Sequence, residues 1–144
     1  PTGSNFTRGI VASIVEHASW SGHLPYDIAV LELDEAYAVK FIALHKPRGV
    51  VVLNVMRDQM DRFAEIDQTA KLLAKVAGAA NEFVVLNDDD SRIEAIAEKL
   101  TVNVVKFGVS SSLRKTFLQD DELHGGVAGL QDSQAAVVLQ KYNA

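Results

Sequence analysis

The sequence predicts an α/β fold, in which a mostly parallel sheet forms the middle of three layers and helices cover both faces. Short runs rich in Val, Ile and Leu alternate with segments of helical periodicity, as they do in strand–helix–strand crossovers. Three of these runs show little alternation of polar and apolar residues, which is typical of strands buried on both faces of a parallel sheet. The length of 144 residues suits one domain, so we predict a single domain over 1–144.

The apolar runs predict five strands. They cover residues 27–34, 49–55, 82–88, 101–109 and 135–142. Before the last strand, which lies in the 134–144 region, loop-like stretches such as "DDELHGG" predict an irregular insertion over 110–133. The order of the strands in the sheet stays open at this point.

Helical spacing of apolar residues predicts four helices between and before the strands. They cover residues 7–19, 35–45, 58–77 and 91–100. The last of them opens with Ser91 and carries Glu94 three residues later, a spacing that predicts a capping box.

The composition excludes several classes of site and partner. The chain has no cysteine, which rules out a disulfide, a thiolate zinc site and a cysteine nucleophile and fits a reducing compartment such as the cytoplasm. A net charge of −5 argues against nucleic-acid binding, which needs a basic face. No apolar run reaches the roughly 18–20 residues that span a bilayer, so no membrane span is expected.

Polar side chains gather where the predicted strands end. Open parallel sheets bind ligands at the carboxyl ends of their strands, so these side chains are the candidate site. Clustered carboxylates suit a hard cation such as Mg²⁺, and an amide offers a donor and an acceptor to a purine ring. The sequence therefore suggests a magnesium–nucleotide site built from strand-end residues, namely Glu32, Asn54, Asp58, Gln59, Asn87 and Asp89.

Structural alternatives exist for each group. The acidic run Asp88–Asp90 also fits the N-cap of the following helix, and Arg57–Arg62 also fits a solvated first helical turn. Glu32 is a charge inside an apolar run, where an unpaired carboxylate would be costly unless it binds a partner or a metal. The phosphate-binding pattern G-x-x-x-x-G-K-[ST] does not occur in the sequence.

Three motifs carry a family resemblance. The stretches "LELDEAY", "LNVMRDQMDRFAEID" and "VVLNDDDSR", in this order and spacing, resemble the central ATPase domain of the Mur ligases. They are similar in particular to the ligase subunit of lipid II isoglutaminyl synthase, the MurT type. With "SNFTRG" upstream and "KFGV" downstream, the resemblance covers about residues 4–109. It implies a Rossmann-like sheet of the kind found in P-loop NTPases.

The resemblance also implies roles for individual residues. Glu32 matches the Mg²⁺-binding glutamate of the family, and Gln59 stands where many Mur ligases have a metal-binding histidine. Asn5 and Asn87 match positions that approach the nucleotide in relatives. Together with three residues from the strand ends, they form the predicted nucleotide-binding set of Asn5, Asn54, Asp58, Asn87 and Asp89. No catalytic residue is assigned.

The function implied by the resemblance is ATP- and Mg²⁺-dependent amidation in bacterial peptidoglycan synthesis. The D-glutamate of the lipid II stem peptide would become D-isoglutamine, with ammonia supplied by a glutaminase (GatD-like) partner subunit in the cytoplasm. The family's phosphate loop and C-terminal ligase domain do not occur in the sequence, so we expect part of a central domain that is inactive alone. Two alternatives stay open: a non-catalytic module that docks a partner through 110–133, and a Rossmann-like regulator with an acidic pocket.

Overall fold

The structure is a computed structural model that describes residues 7–55, 63–113, 116 and 135–139. Within these residues it contains four α-helices, a short 3-10 turn at Ser111–Leu113 and four strands. The elements in chain order are α1 (Thr7–His17), α2 (Glu35–Ile42), β1 (Gly49–Val52), α3 (Phe63–Ala77), β2 (Phe83–Asn87), α4 (Ser91–Ala97), β3 (Asn103–Val109) and β4 (Val137–Leu139).

The four strands form one parallel sheet in the order β1-β2-β3-β4. Gly49 lies opposite Phe83 at the start of the first pair, and Phe107 lies opposite Val137 in the last. The predicted α/β class is confirmed, and each of the ranges 49–55, 82–88, 101–109 and 135–142 contains a strand shorter than predicted. Residues 140–142 of the last range lie outside the described residues. The single-domain assignment stays a prediction, and most of the predicted insertion lies outside the described residues.

The sequential strand order explains where α3 and α4 lie. Successive crossovers step in one direction across the sheet, and right-handed crossovers of that kind place their helices on the same face. On that face Val52, Val84 and Leu86 form a buried core with Ile93 and Ile96 of α4. In a strand, alternate side chains point to opposite faces.

The other face of the first two strands is more open. Val51 is 58% exposed and Phe83 is 38% exposed, although their strand neighbours are buried. Gly49 and Phe83 explain part of this arrangement, because the Phe83 ring covers the position where a Cβ on Gly49 would lie. With the Phe83 ring in this position, any residue other than glycine at position 49 would require this partly exposed ring to move.

The strand predicted over 27–34 is wrong, since this segment is irregular in the structure. Ile28 is 74% exposed and Val30 is 91% exposed, whereas a central strand would bury both. A strand is stabilised when it pairs with a neighbour and buries its apolar side chains, and residues 27–34 do neither against the described strands. The expectation that Glu32 is buried fails with the strand, because Glu32 is exposed.

The N-terminus of α4 is capped by the acidic run Asp88–Asp90, as one of the structural alternatives predicted, and not by the predicted capping box. The cap of α4 is Asp90, not Ser91, because the Asp90 Oδ1 atom accepts a hydrogen bond from the Arg92 N–H at 3.0 Å. Glu94 does not complete a capping box; its carboxylate lies 3.8 Å from the Lys106 Nζ atom instead. None of the described helices is both long and apolar enough to cross a membrane.

Candidate functional site

The carboxyl edge of the sheet is held together by side chains that follow β2. Because the strands are parallel, their carboxyl ends lie along one edge, where open sheets bind ligands. Residues 53–55 follow β1, and residues 88–90 follow β2. Hydrogen bonds join residues 53 and 55 to Asn87 and Asp90, so the described start of the second predicted strand-end group lies beside the third. The rest of the second group lies outside the described residues.

Asn87 uses both ends of its amide inside the protein. Its Nδ2 atom donates to the Leu53 carbonyl oxygen at 2.8 Å, and its Oδ1 atom accepts from the Asp89 N–H at 3.0 Å. The residue is 8% exposed. An amide is the side chain this position needs, because one group must be a donor and the other an acceptor.

Asp90 joins the end of β1 to the start of α4. Its Oδ2 atom accepts from the Val55 N–H at 2.8 Å, while its Oδ1 atom caps the helix. Asp90 is 8% exposed and Val55 is 1% exposed. Without this carboxylate the Val55 N–H would be buried with no acceptor, so the bond is one that the fold needs.

Asp89 continues the same pattern toward β3. Its Oδ2 atom accepts from the Val109 N–H at 2.8 Å. The neighbouring Asp88 N–H donates to the Phe107 carbonyl oxygen at 2.8 Å. These hydrogen bonds fix the end of β2 against the end of β3, so the acidic run serves the fold whatever ligand the edge binds.

Lys106 neutralises part of the acidic run. Its Nζ atom lies 2.7 Å from an Asp88 carboxylate oxygen and 3.8 Å from Glu94. The hydrogen bond that Lys106 donates to Asp88 raises the pKa of Lys106, against a smaller lowering by burial. Sequence reasoning missed this residue. The signal that could have found it is a lysine inside the apolar run "VNVVKFGV", which is predicted as the strand after the one that ends at "DDD".

Asn54 is the exposed amide at this edge. It lies between Leu53, whose carbonyl oxygen is bound by Asn87, and Val55, whose N–H is bound by Asp90. Its side chain faces solvent while the backbone on both sides is held. Among the described residues that follow β1 and β2, Asn54 is therefore an exposed amide between two restrained peptide groups.

Of the remaining predicted residues, the structure describes Glu32 alone, and it is not joined to this edge. Glu32 is exposed on the irregular segment before α2, and in the described part of the chain no hydrogen bond or ion pair joins it to the strand ends. No group of three or more His, Asp and Glu side chains that could hold a metal occurs among the described residues. Asn5, Asp58 and Gln59 lie outside them.

The fold and this edge together define an α/β domain with a parallel sheet whose strand ends present polar groups, the arrangement at which such sheets bind ligands. Residues 21–136 match the family described as the Mur ligase middle domain. The chain therefore belongs to the Mur ligase family, and the resemblance seen in the sequence motifs is confirmed.

The individual relatives include MurT subunits and another ligase of that family. The chain is 34% identical over 91 residues to the lipid II isoglutaminyl synthase (glutamine-hydrolyzing) subunit MurT of Streptococcus pneumoniae, which covers 63% of this chain and 20% of that protein. The same subunit of Staphylococcus aureus is 32% identical over 88 residues, covering 61% and 19%. A UDP-N-acetylmuramate–L-alanine ligase of Clostridium acetobutylicum is 30% identical over 77 residues, covering 52% and 17%. The chain spans about a fifth of the length of the curated relatives it matches.

Proposed function

We propose that this chain contributes the magnesium–nucleotide side of the active site in an ATP-dependent, amide-forming ligase of peptidoglycan synthesis. The observation that supports this most is the carboxyl edge of the sheet, where Asn54 is exposed above the hydrogen bonds of Asn87 and Asp90. The similarity to MurT subunits supports the same assignment, because their name describes a subunit of a glutamine-hydrolyzing lipid II isoglutaminyl synthase.

The full reaction in this proposal is cytoplasmic amidation of the D-glutamate carboxyl in the lipid II stem peptide. A glutaminase (GatD-like) subunit would supply the ammonia, and ATP would activate the carboxyl as an acyl phosphate. Since the chain spans about a fifth of its relatives, we expect it to bind nucleotide weakly and not to catalyse the reaction alone.

The described residues fit a magnesium ion only in part. Glu32 is exposed and forms no ion pair within the described part of the chain, so its carboxylate is accessible as one oxygen ligand. Mg²⁺ commonly takes one or two protein carboxylates and fills its other positions with water and substrate phosphates. Glu32 would be that carboxylate, with Gln59 as the predicted second ligand. A bound ion would offset negative charge on the phosphates.

At the strand ends, the residues of this chain would bind and orient rather than transfer protons. The Asn54 amide can donate to and accept from a purine edge or a ribose hydroxyl. Asn5, Asp58, Asn87 and Asp89 complete the proposed nucleotide set. Their contribution would be positioning, which is the main protein contribution in phosphoryl transfer.

Titration of the chain with MgATP, followed by amide NMR, tests the proposal. We expect shifts at Glu32 and Asn54 at millimolar nucleotide, and we expect Asn54→Ala to reduce them. Glu82→Gln is the matched control, because Glu82 forms an exposed ion pair with Arg48 at the opposite end of the same two strands.

Shifts confined to other surfaces, or none at millimolar MgATP, would contradict a nucleotide site at this edge. The alternative, a non-catalytic module that docks a partner through 110–133, would then be preferred. A pull-down with a glutaminase subunit, with and without that segment, would examine it directly.

A further inference from the structure

We infer that Asn87 and Asp90 are positioning residues, which fix the backbone of Asn54 so that Asn54 makes the nucleotide contact at this edge. The inference rests on the proposed function, and it changes the role of Asn87, which the sequence resemblance places among the nucleotide ligands. The inference is based on two hydrogen bonds on either side of Asn54. Asn87 donates to the Leu53 carbonyl oxygen, and Asp90 accepts from the Val55 N–H.

The two hydrogen bonds hold the two peptide planes that meet at Asn54. The Leu53 carbonyl oxygen belongs to the plane before the Asn54 Cα atom, and it accepts from Asn87 at 2.8 Å. The Val55 N–H belongs to the plane after it, and it donates to Asp90 at 2.8 Å. Because each peptide unit is rigid, restraining both planes restrains φ and ψ of Asn54 and so the direction of its Cα–Cβ bond.

Asn87 and Asp90 differ from Asn54 in solvent exposure. Asn87 and Asp90 are each 8% exposed, which leaves little surface for a ligand. Both ends of the Asn87 amide are also committed, one to Leu53 and one to Asp89. Asn54 is exposed, and its side chain is the group of the three that a ligand can reach.

Capping alone does not account for Asp90. In α2 the cap Asp34 accepts one hydrogen bond, from the Tyr37 N–H at 2.8 Å, and that suffices to start the helix. Asp90 caps α4 through Oδ1 in the same way and uses Oδ2 for the Val55 N–H. The second oxygen therefore serves the end of β1.

Two variants each remove one of the two hydrogen bonds beside Asn54. Asn87→Asp keeps the shape and the acceptor for the Asp89 N–H, but replaces the donor to Leu53 with an oxygen. Asp90→Ser keeps a capping oxygen and is too short to reach Val55. Glu82→Gln is again the control, since it loosens the same pair of strands at the opposite end.

Three readouts are needed on the full chain: hydrogen exchange of the Val55 amide, the side-chain NH₂ resonances of Asn54, and the Kd for MgATP. We expect slow exchange in the parent chain, faster exchange in Asp90→Ser, and shifted, narrowed Asn54 NH₂ resonances in both variants. The Kd should rise about five- to thirtyfold, which is the effect of freeing one residue's backbone. Combining Asn54→Ala with Asp90→Ser should add less than twofold, because Asp90 acts through Asn54.

The outcomes separate the inference from the proposed function. Fast exchange of the Val55 amide in the parent chain would overturn the inference without any variant. It would also be overturned if folded Asn87→Asp and Asp90→Ser bind MgATP within twofold of the parent, or if the effects of Asn54→Ala and Asp90→Ser simply multiply. If Asn54→Ala binds MgATP with the same Kd as the parent chain, the inference is overturned and the proposed function is not. No MgATP binding by the parent chain would overturn both.

Discussion

Removing the Asp90 carboxylate should destabilise the protein by more than the loss of a helix cap. Asp90→Ala deletes two hydrogen bonds at once, one to the Arg92 N–H of α4 and one to the Val55 N–H after β1. The substitution leaves no polar atom that could replace either.

The magnitude follows from the two parts. Loss of an N-cap costs about 1 kcal/mol, within a range of roughly 0.5–2. A buried donor left without an acceptor costs about 1–3 kcal/mol, and Val55 is 1% exposed. The sum is about 2–5 kcal/mol, which is a large part of the roughly 5–15 kcal/mol that holds a typical domain folded.

Urea unfolding followed by far-UV circular dichroism measures this loss as a fall in the midpoint at constant slope. Asp34→Ala is the matched control, because Asp34 caps α2 through one hydrogen bond to the Tyr37 N–H. We expect about 1 kcal/mol for the control. Asp90→Ser, which keeps the cap, should lose about 1–3 kcal/mol.

An equal loss in Asp90→Ala and Asp34→Ala would refute the reasoning, since it would leave nothing for the bond to Val55. A loss in Asp90→Ser as small as a few tenths of a kcal/mol would refute it as well. Either result would mean that the Val55 N–H finds another acceptor once the carboxylate is gone.

Three further predictions concern the core, the ion pair and the start of the sheet. Ile93→Ala, at a side chain 0% exposed, should cost about 2–5 kcal/mol in the same urea assay. The raised pKa of Lys106 means that its pairing with Asp88 stabilises the fold below the ordinary lysine value of 10.5 and is lost as pH rises through the higher folded value. Lys106→Met should therefore weaken the alkaline loss of stability, and an unchanged pH profile would contradict this. Gly49→Ala should cost about 1–3 kcal/mol by overlap with the Phe83 ring, and Phe83→Leu in the same chain should relieve most of it.

Local pattern was sufficient for the elements that lie inside the core. The apolar runs around Val84 and Val105 predicted β2 and β3, because short runs rich in Val, Ile and Leu are typical of strands in a parallel sheet. The helical spacing before Ala77 predicted α3 in the same way. The family also followed from local motifs, since "LNVMRDQMDRF" and "VVLNDDD" are short stretches read directly from the chain.

The same apolar pattern misled at 27–34. A run such as "IAVLEL" indicates that a segment could be buried. It becomes a strand only if it pairs with a neighbouring strand, and this segment is irregular. That condition depends on the other strands and not on the run itself. The argument that Glu32 must be buried was lost for the same reason.

The sequence by itself determined the fold class, the family and the fact that polar groups follow the strands. The different roles of those groups are visible only in the folded protein. Asn87 and Asp90 are buried and form hydrogen bonds with residues 53 and 55, whereas Asn54 is exposed. The two hydrogen bonds join residues that are 34 and 35 positions apart. No local pattern encodes such a pairing, because it exists only once β1 and β2 lie side by side in register.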